Sequence, residues 1–275
     1  MDDSAQMTCI ARAATALGTD GFPKTLTALF QSVFSFDSLF ISVFASDHAP
    51  RQLYSNLDDD ATRRTIGPYL SFAYLLDPFY GLFKAQVGTC VVSLDTCAPD
   101  DFRQSDYFRM FYSDTGLRDE VTIFVAAGAD VSIVLSLGQR DGRHPRAPDA
   151  CPRLQALLPV IAALCLKHWP DPARHPSANI DNSPDFERPD FERMGLPKLS
   201  LREAEVVRMM LKGHSSKSMA RLFGISPETV KVHRKRIYSK LGLTSQGELF
   251  SLFVSTLAMP PLIPDYTALP HTLHS

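Results

Sequence analysis

Apolar positions recur at three- and four-residue spacing over Val206, Val207, Met210 and Leu211, and similar stripes start again three times before Leu257. Such spacing lines one face of an α-helix. Ser200 and Glu203 form an S-x-x-E capping box ahead of the first stripe, and Gly213 closes it, because glycine takes a left-handed conformation at little cost. Ser215 starts a second helix that buries Met219, Leu222 and Phe223 and ends at Gly224. Ser226-Pro227 opens a third, since proline at the first helical position forfeits no hydrogen bond. Ser245 and Glu248 repeat the capping box before a fourth helix through Leu249, Phe253 and Leu257. At about 100° per residue, Val230, Ile237 and Leu241 of the third helix face inward, with His233 at the margin. Lys231 and Lys235 project the other way, beside Tyr238.

The N-terminal pattern is different. Two amphipathic helices, 4–19 and 22–35, precede a strand at 38–45, where Leu39, Ile41 and Val43 alternate with Ser38, Phe40, Ser42 and Phe44. A short strand around Leu53 follows, then a helical region from Asp58 to Lys84 broken at Asp77-Pro78. Residues 90–93 predict a strand, Ser105–Asp114 an aromatic-rich helix, and 119–127 with 131–138 a hairpin across Gly128-Ala129-Asp130. A long apolar helix over 148–169 ends at Trp169, the chain's one tryptophan. Helices flanking strands joined by hairpins or helical excursions argue an antiparallel sheet covered on its faces. The expected fold class is α+β: an N-terminal α/β/α sandwich with an antiparallel GAF/PAS-like sheet, followed by an all-α four-helix domain.

Two helices joined by a short glycine turn, the second one basic, describe a helix-turn-helix whose recognition helix enters the major groove. An ordinary solvated basic face is the competing explanation, but start signals, turn glycines and face assignment all agree. The segments LSLREAEVV (199–207), KGHSSKSMARLFGIS (212–226), TVKVH (229–233) and KLGL (240–243) resemble the DNA-binding domain of LuxR-type transcription regulators over about sixty residues. The resemblance implies that Lys231, Val232 and Lys235 face base edges and that Lys217, Thr229 and Lys240 lie near phosphates. Ser215 and Arg234 complete the candidate DNA-binding set. The family usually has Glu where Ser218 stands and Arg where Gln246 stands.

Charge sharpens this division. The 275 residues carry 28 Lys/Arg and 30 Asp/Glu, a net −2. Residues 198–258 hold 11 basic and 4 acidic residues (+7), leaving 17 against 26 (−9) elsewhere. A basic module joined to an acidic one fits a DNA reader carried by a domain that does not touch DNA. The N-terminus has no basic segment before an apolar one, and no unbroken apolar run reaches spanning length, so a cytoplasmic protein without a membrane partner is expected. Five scattered cysteines without a C-x-x-C pair fit reduced thiols.

The N-terminal element order also resembles the ligand domain of acyl-homoserine-lactone receptors, on Asp77-Pro78, TGLRDEVTIFV (115–125) and VLSLG (134–138). The hairpin puts Ser132, Val134 and Ser136 on one sheet face, which Thr122, Ser38 and Ser42 share; helices bearing Tyr74, Asp77, Phe79, Tyr80 and Phe83 stand across from it. Aromatics with a few convergent polar groups suit a small-ligand pocket, although aromatic stripes at helical spacing also make plain core. The candidate ligand residues are Tyr54, Tyr74, Asp77, Phe79, Tyr80, Phe83, Thr122 and Ser136. The resemblance implies that Asp77 accepts from a ligand amide and that Ser136 lines the same cavity. The lactone receptors, however, hold the ring carbonyl with a tryptophan downstream of a tyrosine. Tyr54 matches the tyrosine, and no tryptophan inside the domain supplies the indole donor, so an acyl-homoserine lactone is not the expected effector.

Other chemistry fails. GHSSKS (213–218) lacks the glycine spacing of a phosphate loop, the eight histidines make no metal spacing, and Asp58-Asp59-Asp60 lacks the rest of a phosphoacceptor pattern, which leaves helix capping. No enzymatic activity, cofactor or metal is expected. The division is 1–169 sensory domain, 170–198 proline-rich linker with PDFER in tandem, 199–258 DNA-binding domain and 259–275 proline-rich tail. The expected function is a ligand-responsive, homodimeric transcription regulator that reads an inverted-repeat operator in double-stranded DNA, senses a small-molecule effector and works with RNA polymerase. A regulator of the same type controlled by phosphorylation or protein contact, without a small-molecule ligand, is the alternative.

Overall fold

The computed structural model describes residues 3–58, 60, 62–141, 145–174 and 199–257; most of the expected linker, Asp59 and the expected tail lie outside them. Helices α1 (Asp3–Thr15) and α2 (Phe22–Gln31) lead into strands β1 (Ser38–Ala45) and β2 (Arg51–Ser55). Helical turns at Thr62–Ile66, Gly67–Ser71 and Ala73–Leu76 follow, then α3 (Pro78–Lys84), β3 (Cys90–Ser93), β4 (Leu117–Ala126), β5 (Val131–Arg140) and α4 (Ala147–His168). The strands form one antiparallel sheet in the order β2-β1-β5-β4-β3.

Strand alternation divides the sheet's side chains. Leu39, Ile41, Val43, Val121, Ile123, Ile133, Leu135 and Leu137 point to one face, where Phe22, Leu26 and Phe30 of α2 and Leu154, Leu158 and Ile161 of α4 cover them. Phe44, Phe124 and Val134 point to the other, which we call the inner face, under Tyr74, Phe79, Tyr80 and Phe83. The α/β/α sandwich is thus present. α4 is, among the described residues, long and apolar enough to cross a membrane by length and composition, which the sequence reading had not anticipated. Its buried face, Leu154, Leu158, Ile161 and Cys165, is that of a core helix packed on the sheet.

The helical region before Lys84 is present and breaks at Asp77-Pro78 as expected, but in short pieces: a wide π-type turn, an α-helical turn and a tight 3-10 turn before α3. The expected helix Ser105–Asp114 is instead a helical turn at Asp106–Phe108 continued as a wide π-type turn, Arg109–Ser113. Dense aromatic packing, such as Tyr107 on Phe111 at 4.9 Å and Phe108 on Tyr112 at 5.1 Å, sets the backbone there more strongly than helix propensity does.

The C-terminal bundle contains α5 (Leu201–Leu211), α6 (Ser216–Phe223), α7 (Pro227–Leu241) and α8 (Gln246–Leu257). Ser200, Ser215 and Ser226 each accept the amide of the residue three further on, and Glu203 returns the bond to Ser200 N–H at 2.7 Å. Before α8 the box is shifted: Ser245 accepts from Glu248 N–H, but the Glu248 carboxylate takes the N–H and hydroxyl of Thr244. Val206, Val207, Met210, Met219, Val230, Ile237, Leu249 and Phe253 fill the core. Leu222, expected inside, is 59% exposed; α6 buries Met219 and Ala220 instead.

The bundle does not have a core of its own. Its apolar residues are continuous with those on the inner side of the sheet. Phe253 meets Phe72 at 6.1 Å between rings, and Gly213, in the left-handed region at φ +85°, lies so close to Phe102 that a Cβ would be 2.7 Å from its Cα.

Candidate functional site

On α7 the inward face is closed: Val230 and Ile237 have no exposure. On the opposite face, Lys231, Lys235 and Val232 are exposed, as are Thr229 at the helix start and Lys217 on α6. Lys231, Arg234, Lys235 and Tyr238, with Ser216 of α6, frame a shallow open concavity. A row of cations beside an apolar side chain on an exposed helix is what contact with phosphates and base edges in a groove requires.

Four of the expected DNA-binding residues have partners within the protein, Thr229 among them through a 2.9 Å hydrogen bond between its hydroxyl and that of Ser226. Arg234 donates to Ser216 Oγ and to Gln246 Oε1, at 3.4 and 3.3 Å, and Gln246 Nε2 donates to Met210 O at 3.1 Å. Gln246 therefore bridges α7 to α5 through its amide. Lys240 forms a 2.7 Å ion pair with Glu203, tying the end of α7 to the start of α5. Ser215 caps α6 and also meets the N-terminal part: its N–H donates to Asp100 Oδ1 at 3.0 Å and its hydroxyl to Asp100 Oδ2, beside an Asp101 N–H to Gly213 O bond of 3.0 Å.

The Lys240 ammonium, then the Ser200 N–H, hold the Glu203 carboxyl down at about 2 against an ordinary 4.5. A depressed carboxylate contributes stability that is complete above its unfolded pKa and is lost as pH falls through the folded one. The chain is expected to lose this contribution between about pH 4.5 and 2, and Lys240→Ala to remove most of it. Melting curves followed by circular dichroism across that range check this; an unchanged acid limb in the variant would show that the pair does not stabilise the bundle.

The inner sheet face holds the second cluster. Asp77 caps α3, accepting Phe79 N–H at 2.8 Å on Oδ1 and the Tyr69 hydroxyl at 2.6 Å on Oδ2. Glu120, on β4, accepts the Tyr112 hydroxyl at 2.7 Å and the Thr122 hydroxyl at 3.0 Å; Thr122 lies 3.4 Å from Ser136 on β5. Burial, then repulsion from Glu120, raises Asp77 to about 7, against the pull of Tyr69, Phe79 N–H and Lys212. Burial pushes Glu120 up as well, although Tyr112, Ser136 and Thr122 oppose it.

Of the expected ligand residues, Asp77, Thr122 and Ser136 meet on this face. Tyr74, Phe79, Tyr80 and Phe83 pack beside them around Phe44, with Tyr74 and Tyr80 edge to face at 4.8 Å. Tyr54 does not join them. It pairs with Ile41 and packs on the opposite face, because strand parity rather than proximity in sequence decides the side. Tyr69, Tyr107, Tyr112 and Glu120 belong to the cluster and were not anticipated. The one signal for Glu120 is its i, i+2 spacing to Thr122. Asp77 also borders a cleft of about 510 Å³ between the two halves, lined by Cys97, Asp100, Lys212, His214 and Arg221 among others.

Known proteins match both halves. The family described as bacterial regulatory proteins, luxR family, matches residues 197–253. An HTH-type transcriptional regulator of Aeromonas salmonicida is 32% identical over 162 residues, 57% of this chain and 83% of that protein. The monoamine regulon transcriptional regulator of Klebsiella aerogenes is 27% identical over 187 residues, 66% of this chain and 70% of its own length. The crystal structure of the VqsR LBD domain from Pseudomonas aeruginosa aligns with a TM-score of 0.52 at 21% identity, covering 60% of this chain and 96% of that one; this likeness shows the fold of the N-terminal part. With a capped four-helix bundle, an exposed basic third helix, and a relative matched over most of its length, this chain belongs to the LuxR family of bacterial transcription regulators.

Proposed function

We propose that this regulator binds an inverted-repeat operator as a homodimer and that a small molecule held on the inner face of its N-terminal sheet controls it. The observation that carries the reading is the pairing of an exposed Lys231/Lys235 face with a buried polar cluster around Asp77, at the border of the cleft between the two halves. The cluster has too many buried polar groups for plain core, where such groups are costly without a role. Its position also provides coupling. An occupant that shifts Asp77 acts next to Lys212 and next to the Asp100–Ser215 and Asp101–Gly213 contacts that hold the bundle in place. The expected division at 1–169, 170–198, 199–258 and 259–275 puts the effector in the first unit and the operator on the third, with RNA polymerase recruited or blocked at the promoter.

Selection of binding sites from a random DNA pool with the full chain tests the output. An enriched two-fold symmetric sequence carrying two chains per duplex is expected. A single half-site bound by one chain would remove the homodimer, and no enrichment would remove sequence-specific reading. For the input, a thermal-shift screen of metabolites is expected to find a compound that raises the melting temperature, as any ligand selective for the folded state must.

A further inference from the structure

We propose that the cleft between the two halves is a second ligand site, taking a small organic acid whose carboxylate meets Lys212 and Arg221 of the bundle while its apolar body lies on the N-terminal wall. Such a molecule holds the halves together and opposes DNA binding. The site goes beyond the effector reading above, which concerns the inner sheet face, and Asp77 stands at the border of both.

The cleft offers about 510 Å³ of space, within the roughly 300–1,000 Å³ of small-molecule sites. Its two walls differ in kind. The N-terminal wall is apolar, made by Leu76, Pro78 and Leu82 around the start of α3 and by Ala98 and Pro99 after β3. The bundle wall is basic, made by Lys212, His214 and Arg221.

The acids bordering this space are already answered. Asp77 takes the Phe79 N–H on Oδ1 and the Tyr69 hydroxyl on Oδ2, and Asp100 takes the Ser215 N–H and hydroxyl on its two oxygens. The cations are not. Neither the Lys212 ammonium nor the Arg221 guanidinium forms a hydrogen bond or an ion pair among the described residues, although Lys212 is half-buried. Burial, then the neighbouring Arg208, loosens the hold of Lys212 on its proton, against the pull of Asp77. An ammonium partly withdrawn from water without a partner is costly, and an anion in the cleft relieves that cost. Arg221 supplies the planar fork that matches a carboxylate. His214, which burial holds below its ordinary 6.5, adds a polar ring rather than a third charge. A cation would meet Lys212 and Arg221 with both acids already engaged, and a neutral molecule would leave both cations unanswered.

Gly81 points the same way independently. It sits in the middle of α3 and lines the cleft. Glycine is a poor helix former, yet nothing local asks for it here: its φ is not positive, and nothing lies within 4 Å of the Cβ it lacks. What the missing side chain leaves is open space on the apolar wall. The space exists only while the halves are together, so an occupant favours that arrangement. It is the one in which Asp100 holds the Ser215 N–H and hydroxyl.

Calorimetry and operator titrations on the full chain test this with benzoate, phenylacetate, hexanoate and octanoate, against phenylacetamide, 2-phenylethylamine and inorganic phosphate. At least one acid is expected to bind and to lower operator affinity by about tenfold, a coupling of ordinary size. Arg221→Gln should weaken that acid by about 10–100-fold, since a charge-assisted hydrogen bond is lost. Lys212→Met should weaken it about as much and leave the ligand-free melting temperature unchanged or higher, a split that a merely structural lysine would not give. Gly81→Leu should abolish acid binding in a chain no less stable than the parent, because leucine favours the helix and fills the cleft. The site is overturned if no acid binds, if the amide, the amine or phosphate binds as tightly as the best acid, or if acid affinity survives Arg221→Gln and Gly81→Leu. An acid that binds there without lowering operator affinity overturns the opposition to DNA. In each case the inner-face reading stands, since it depends on the metabolite screen described above.

Discussion

Changing Lys231 and Lys235 to alanine together is expected to weaken operator binding by about 2–6 kcal/mol, or roughly 30-fold and upward, at about 1–3 kcal/mol for each base-reading contact. Both side chains are exposed on a helix whose other face, Val230 and Ile237, is fully buried. The substitutions should therefore leave the melting temperature near that of the parent. Base preference should relax along with affinity. Lys217→Ala differs in kind: it should lower affinity for operator and scrambled duplex alike and reduce the log–log salt slope by about one. Fluorescence anisotropy with both duplexes over a range of salt separates the two patterns. A double variant that keeps parental affinity and preference would mean that α7 does not read DNA.

The second large effect is expected at Gly213. Alanine there meets two obstacles, a left-handed backbone at φ +85° and a Cβ 2.7 Å from the Cα of Phe102. The first costs about 1–2 kcal/mol. The second is a collision with main chain that no rotamer relieves, so the bundle must move off the N-terminal part. Gly224 separates the terms. Its φ is +65° and nothing lies within 4 Å of its would-be Cβ, so Gly224→Ala carries the backbone cost alone. Gly213→Ala is expected to expand the molecule in small-angle scattering and to raise DNA affinity without effector by about tenfold, a coupling of ordinary size. Gly224→Ala should do neither. If the two variants behave alike, contact between the halves exerts no control over DNA binding.

The bundle was legible because its signals are local. Each cap involves residues three apart, and each turn glycine closes its own helix, so Ser200, Ser215, Ser226 and Gly213 announce their elements without reference to the rest of the chain. The sheet was legible for a related reason, since alternation along β5 separates Ile133 and Leu135 from Val134 and Ser136. What could not be read depends on pairing. Tyr54 changed sides because β2 registers on β1 across an irregularity between Ile41 and Ser42. Tyr69 meets Asp77, and Tyr112 meets Glu120, only after the turns that carry the two tyrosines fold over the sheet, and no spacing announces either meeting. The pairing of Lys240 with Glu203, 37 residues away, is likewise announced by no local spacing.

The contact between Asp100 and Ser215 has a further consequence. The Ser215 N–H and hydroxyl, at the start of a helix whose dipole favours negative charge, are donors of the kind a DNA phosphate would need, and a carboxylate of the same chain occupies them. On the proposed reading, operator and sensor are competitors. Linkage makes such competition reciprocal: whatever free energy the contact withholds from DNA, DNA withholds from the contact. Effector affinity measured on promoter-bound protein should then differ from that of the free protein by the same factor, and the operator itself becomes an allosteric ligand of the domain that never touches it.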